Sequence, residues 1–263
     1  MRIIFIRHGQ PDYTTDTLDA QGKLEVAALT ERTKHWKVED FYVSTMGRAK
    51  ETIAPTLACL GREATEYDWM REFTPRLIDP STGEEHCAWD LMPQDYLKDP
   101  LMFDKDHWFD AALYQQNPEI KERALWIYKE LDQLLEKYGY MRNGDAYDFV
   151  DPTGHVNPAE PQDIMLHGTS NYVPRDTDDD KTIVITCHFG VTCVMLGHLL
   201  GISPVMLWHG TCIPPTGVTI LNAEKRLHNV AHFRTQALGD TSHLKAAGVQ
   251  VSGYAGFALP FQG

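Results

Sequence analysis

Apolar residues fall along this chain in two patterns. Short unbroken runs, Ile3-Ile4-Phe5-Ile6, Phe41-Tyr42-Val43 and Ile183-Val184-Ile185-Thr186, have the length and continuity of strands buried on both faces of a parallel sheet. Longer stretches repeat with helical spacing. Leu18 to Trp36 has Thr17 or Asp19 to cap it and Leu24, Ala27 and Ala28 to face a core. Arg48 to Leu60 is a second helix, in which Pro55 predicts a bend or a local irregularity. Pro118 to Tyr138 opens on a proline suited to a first turn and carries a stripe of Ala124, Ile127, Tyr128, Leu131, Leu134 and Leu135. Val191 to Leu200 is a further helix, closed by Gly201. Additional strands are predicted at Ala64 to Tyr67, Gly217 to Asn222 and Arg226 to Ala231. A hairpin is predicted where Asn143-Gly144-Asp145 separates Tyr140-Met141-Arg142 from Ala146 to Val150. This alternation predicts an α/β chain, a three-layer α/β/α sandwich around a mostly parallel central sheet.

The chemistry stands where the apolar runs stop. The first ends in Arg7-His8-Gly9. The second passes through Ser44-Thr45 into Arg48-Ala49-Lys50-Glu51-Thr52, and the third ends in Cys187-His188-Phe189-Gly190. Open α/β sheets place ligands at the carboxyl ends of their strands, so these distant segments describe one pocket. A lone histidine there would be read as an ordinary buried imidazole; two at matching strand ends, each near an arginine, would not. Arg48 in the first turn of a helix opposes the macrodipole, which points to an anion in front of it.

In their order and separation these pieces resemble the histidine phosphatase superfamily, the group that also contains the cofactor-dependent phosphoglycerate mutases. The resemblance covers Met1 to about Thr74 and about Thr182 to His232; Pro75 to Lys181 carries no family motif. It implies an acidic residue after the strand that follows Arg48, and Glu72 in Trp69-Met70-Arg71-Glu72-Phe73 is the choice, with Glu84 and Glu85 as rivals. It also implies that the insertion caps the pocket and selects the substrate.

Physical chemistry assigns roles to the same residues. A neutral His8 is a competent nucleophile toward phosphorus, and a phosphohistidine divides one hard hydrolysis into two steps. Arg7, Arg48 and a protonated His188 face the charge of a phosphoryl group in transit, each charge pair at 4 Å being worth roughly 4 kcal/mol at an effective dielectric near 20. The same cations should keep His8 unprotonated. Ser44, Gln10, Phe189 and Gly190 are further candidate phosphate contacts, and amides at the helix starts after Gly9 and Phe189 are candidate backbone donors, although Ser44 reads equally as a helix cap. Glu72 supplies the proton to the leaving alcohol and then takes one from water. The mutases that resemble this chain continue after the first glycine with Glu-Ser and an asparagine, and hold a further cluster of cations. Here the continuation is Gln10-Pro11-Asp12-Tyr13, which favours phosphomonoester hydrolysis over mutase-type transfer or a non-catalytic phosphate-binding module.

Composition narrows the setting. The chain has 12 histidines and 5 cysteines, but no His-x-x-x-His on a helix and no Cys-x-x-Cys, so no metal or other cofactor is expected. Asp176 to Asp180 lacks the glycine and terminal glutamate of a calcium loop and reads as a solvated turn. The formal net charge of -13 disfavours nucleic acid and anionic membranes as partners, while the resemblance implies a small phosphorylated metabolite as the ligand. Scattered cysteines, no membrane-length apolar window and a first strand at the amino terminus suggest a cytoplasmic protein. With 263 residues the chain is expected to form one domain, 1–263, in which 75–181 is a helical and hairpin insertion capping the site. Oligomeric state is open, a homodimer included. Trp89, Tyr96, Phe103 and Trp108 are expected as core of that cap or as an apolar wall, His155 to Tyr172 as a lid or an irregular excursion, and Gly239 to Leu244 as a capped helix near the pocket mouth, with His243 a weaker candidate for substrate contact.

Overall fold

Strand β1 (Arg2–Arg7) forms because four apolar residues in succession can all be buried only at the centre of a sheet covered on both faces. The computed structural model describes residues 1–150, 181–227 and 230–253, and His155 to Tyr172 and Asp176 to Asp180 lie outside them. After β1 come a two-strand hairpin of β2 (Pro11–Asp12) and β3 (Thr17–Leu18), helix α1 (Ala20–Thr33), β4 (Asp40–Ser44), α2 (Gly47–Leu60) and β5 (Ala64–Tyr67). The next segment carries a second small hairpin, β6 (Arg76–Ile78) with β7 (Glu85–Cys87), then the short helix α3 (Pro93–Tyr96) and the long α4 (Glu119–Glu136). The hairpin β8 (Tyr140–Asn143) and β9 (Ala146–Phe149) follows, then β10 (Thr182–Cys187), α5 (Phe189–Leu200), α6 (Pro204–Gly210), β11 (Val218–Leu227), β12 (Val230–Asp240) and α7 (Ser242–Ala246).

Among the described residues, eight strands join one sheet in the order β5-β4-β10-β1-β11-β12-β9-β8. The four from β5 to β1 are parallel, and β11, β12, β9 and β8 extend them as antiparallel neighbours. Alternate residues of the parallel core face opposite layers. Ile4, Ile6, Phe41, Val43 and Val184 pack with Leu29 of α1 and Ala49 and Ile53 of α2. Ile3, Phe5, Tyr42, Ile183 and Ile185 pack against the layer holding α4, α5 and the buried Trp69, Trp108 and Trp208. Each buried isoleucine contributes about 1.5–3 kcal/mol.

Register sets the site. Arg7 pairs with Cys187, and Thr186 with Val43, so one step further along each strand brings His8, His188 and Ser44 to the same edge.

Two sequence expectations are corrected. On α1, Leu24 and Ala27 are exposed while Ala28 is buried as expected, and the inward face is Gly22, Glu25, Val26, Ala28, Leu29, Thr30 and Thr33. That face is partly polar because Glu25 accepts the Gln10 N–H and Thr33 bonds Thr56 across to α2. Pro55 lies inside α2 without ending it. The final strand is not Arg226 to Ala231, since β11 runs to Leu227 and β12 from Val230 on to Asp240, carried by pairing with β11 rather than by its own weak apolar pattern.

Candidate active site

His8 follows the last residue of β1 and is buried. Its Nδ1 lies 2.7 Å from the carbonyl oxygen of Gly9, which can only accept, so Nδ1 carries the proton and Nε2 of the neutral ring presents a lone pair. Burial first, then the charges of Arg7 and Arg48, hold the imidazole well below its ordinary pKa of 6.5. The turn after His8 is tied to α2 by the Gly9 N–H, which donates to Thr52 Oγ1 at 2.9 Å.

His188 caps the amino terminus of α5 with extended backbone, and its ring centroid is 5.0 Å from that of His8. Nε2 lies 2.8 Å from Ser44 Oγ, while the buried Nδ1 has no hydrogen-bond partner among the described residues. Burial, helped by His8, Arg48 and Arg7, holds this imidazole well below 6.5 as well. A protonated His188 in front of a phosphoryl group therefore depends on that anion for its counter-charge.

Arg7 and Arg48 are both buried. Arg7 Nη1 donates to the Ile213 carbonyl at 2.7 Å, and its guanidinium sits 5.6 Å from the Phe189 ring centroid. Arg48 Nη1 pairs with Asp16 Oδ1 at 2.5 Å, and its buried Nε has no hydrogen-bond partner among the described residues. One edge of this guanidinium is held and another polar group on it is left open to an anion, an arrangement suited to bidentate recognition of phosphate oxygens.

Glu72 is half-buried, and its Oε1 accepts from the N–H of Phe73 at 2.8 Å and from that of Val191, in the first turn of α5, at 3.0 Å. Burial raises its pKa above 4.5 against those two bonds and the pull of Arg7 and Arg48. Gly190 makes room for this approach: a Cβ there would stand 2.7 Å from Glu72 Oε1 and 2.7 Å from Trp89 Cδ1. The rivals lie elsewhere. The side chains of Glu84 and Glu85 are exposed on the β6–β7 hairpin, and Glu85 pairs with Arg76 at 2.9 Å.

The structure thus brings His8, His188, Arg7, Arg48, Ser44 and Glu72 to one edge, with Phe189 and Gly190 opening α5 beside them. Ser44 is not the cap of α2, whose cap position is Met46; its hydroxyl accepts the Met46 N–H and partners His188. Gln10 donates to Asp19 Oδ2 at 2.7 Å, at the start of α1. No helix begins directly after Gly9, since the β2–β3 hairpin intervenes. Of the four aromatic candidates, Trp108 is core, Trp89 stands at Gly190 and donates to the Phe73 carbonyl, Tyr96 stacks on His209 and Phe103 is exposed. His243 is buried against Thr216 and Arg32, not at the mouth.

Asp16 was missed by the sequence reading. Its carboxylate also accepts the Gly47 N–H at 2.7 Å, so it caps α2 from outside the helix as Glu72 caps α5. No local signal marks it, because its partners lie some thirty residues on. Thr216 was missed for the same reason. Both are non-glycine residues with positive φ, 54° for Asp16 and 57° for Thr216.

A family model described as histidine phosphatase superfamily (branch 1) matches residues 3–96. No curated protein sequence matches the chain. Among solved structures, a phosphoserine phosphatase mutant from Entamoeba histolytica in complex with phosphoserine is 17% identical, with 92% of this chain and 98% of that one covered and a TM-score of 0.55. A mycobacterial glucosyl-3-phosphoglycerate phosphatase is 16% identical, with 90% and 98% covered and a TM-score of 0.55. At those identities the likeness carries the fold and leaves the substrate open. Residues 3–96 thus resemble the histidine phosphatase superfamily in sequence, and the chain shares the fold of these phosphatases.

Proposed function

We propose that this protein hydrolyses the phosphomonoester of a small phosphorylated metabolite through a phosphohistidine on His8. The observation that carries the reading is the tautomer of His8: with Nδ1 donating to Gly9, the lone pair of Nε2 is available in a pocket that holds two buried arginines and a second histidine. His8 Nε2 attacks phosphorus, and the bond to the leaving oxygen breaks as Glu72 delivers its proton there. Arg7, Arg48 and His188 face the equatorial oxygens, where charge is spread in the transition state. Glu72, now a carboxylate, takes a proton from the water that attacks the phosphohistidine, and His8 leaves as a neutral imidazole. The scheme calls for no metal ion. The similar structures are of phosphatases for phosphoserine and for glucosyl-3-phosphoglycerate, which agrees with hydrolysis and with a phosphorylated small molecule as substrate.

The test is hydrolysis of p-nitrophenyl phosphate in the presence of a chelator by the natural chain and by His8→Ala. Turnover that persists with chelator and disappears in the variant is the expected result, together with acid-labile phosphate trapped on the natural chain by rapid quench. Activity that survives His8→Ala, or that the chelator removes, would overturn the mechanism.

A further inference from the structure

The turn that precedes β11 grips the end of β1 from behind. Its residues are Ile213-Pro214-Pro215-Thr216-Gly217, closed by the Gly217 N–H donating to the Pro214 carbonyl at 2.8 Å. Proline at the second position excludes a positive φ there, so positive φ at the third defines the turn class that ordinarily takes glycine at that place. Here the place is held by Thr216, β-branched, fully buried and at φ 57°, a backbone that such a residue avoids.

Two sets of contacts converge on this residue. Its N–H points at the carbonyl oxygens of Arg7 and His8 at 3.1 and 3.2 Å, while the Gly217 carbonyl accepts the Arg7 N–H at 3.2 Å and the Ile213 carbonyl accepts Arg7 Nη1 at 2.7 Å. On the other side, Thr216 Oγ1 donates to the Pro215 carbonyl at 2.7 Å and lies 3.1 Å from His243 Nε2. Arg32 Nη1 stands 3.3 Å from His243 Nδ1 and can only donate, so Nδ1 accepts and Nε2 carries the proton given to Thr216. Arg32 is in turn fixed to Asp240 at 2.7 Å. Glycine would take this backbone without strain; what threonine adds is a hydroxyl for His243 to hold.

We propose that Thr216 and His243 are positioning residues for His8, with the strained turn fixing the carbonyls of Arg7 and His8 and thereby the place of the imidazole opposite His188. The inference rests on His8 being the reacting group. His243, on α7, then acts on the pocket through the Thr216 hydroxyl rather than by touching substrate.

Thr216→Gly removes the strain and the hydroxyl together, and His243→Ala removes only the hold. In the full chain, Thr216→Gly is expected to unfold at the same or a higher temperature than the natural protein. Its kcat for p-nitrophenyl phosphate should nevertheless fall about tenfold or more, with KM changed less than about twofold. His243→Ala should lose kcat to a similar degree, and the double variant no more than the worse single one. A natural kcat in Thr216→Gly, a loss that accompanies a lower unfolding temperature, or a loss confined to KM would overturn the inference. Should the natural chain turn over no phosphomonoester, the functional reading fails and the positioning role is decided by proton NMR. The His8 Nδ1–H resonance should be protected from exchange in the natural chain and lose that protection in both variants; equal protection in the variants would overturn the role.

Discussion

Two side chains of the pocket are moved in opposite directions by the same burial. Desolvation lowers the pKa of His8 and raises that of Glu72, because in each it disfavours the charged form. One becomes an imidazole that stays neutral below the ordinary histidine range; the other becomes a carboxyl that keeps its proton above the ordinary glutamate range. Such a divergence sorts a nucleophile from an acid. Glu72→Gln is therefore expected to lower kcat for an alkyl phosphate by about 10²–10⁴-fold. The loss should be smaller for p-nitrophenyl phosphate, whose leaving group departs without a proton. The pH profile follows from the signs. As pH rises through the raised pKa of Glu72 the acid is lost, so the alkaline limb of kcat/KM belongs to Glu72 and should vanish in the glutamine variant. The acid limb, set by His8, should lie below pH 6.5. Steady-state profiles on both substrates check this, and equal losses on the two would count against Glu72 as the acid.

At the scale of elements, the site is assembled by helix starts that other segments cap. Asp16 closes the amino end of α2 and Glu72 that of α5, each from a loop distant in sequence. Gly190 is the point on which the second of these depends. With a Cβ 2.7 Å from Glu72 Oε1 and 2.7 Å from Trp89 Cδ1, Gly190→Ala must displace both side chains from the helix. Turnover is expected to fall at least about tenfold. Inorganic phosphate, if Arg7 and Arg48 hold it as proposed, should still bind in a calorimetric titration; loss of phosphate binding with turnover would mean that α5 itself has moved. The same elements show what the sequence could carry. His8, Ser44, Arg48 and His188 were legible because each adjoins an apolar run long enough to be a central strand, and strand ends fix their place without side-chain detail. Glu72 was legible only with the family resemblance beside it. Asp16 lies in a hairpin of two-residue strands with no period, and Thr216 takes its conformation from a buried turn, so neither has a local pattern. The inward face of α1 was misjudged because partners outside the helix make Glu25 and Thr33 buried residues.

Across the whole molecule, a formal charge of -13 surrounds a pocket of buried cations and neutral histidines. Among the described residues, four histidines are held below the ordinary value. His8 and His188 lie well below it, and burial takes His209 and His243 to about 4. In the unfolded chain these rings take up protons near pH 6.5, whereas in the folded chain they do not. The unfolded state thus binds more protons as the solution is acidified, and stability falls as pH drops below 6.5. A dianion between Arg7, Arg48 and His188 changes this for one member of the set, since it offers protonated His188 a counter-charge. The unfolding temperature is therefore expected to drop steeply from pH 7 to 5 in phosphate-free buffer, and less steeply in saturating phosphate. His188→Gln should remove that protection while leaving the slope contributed by His209 and His243. An unfolding temperature indifferent to pH over this window would mean that these imidazoles are not held neutral in the fold.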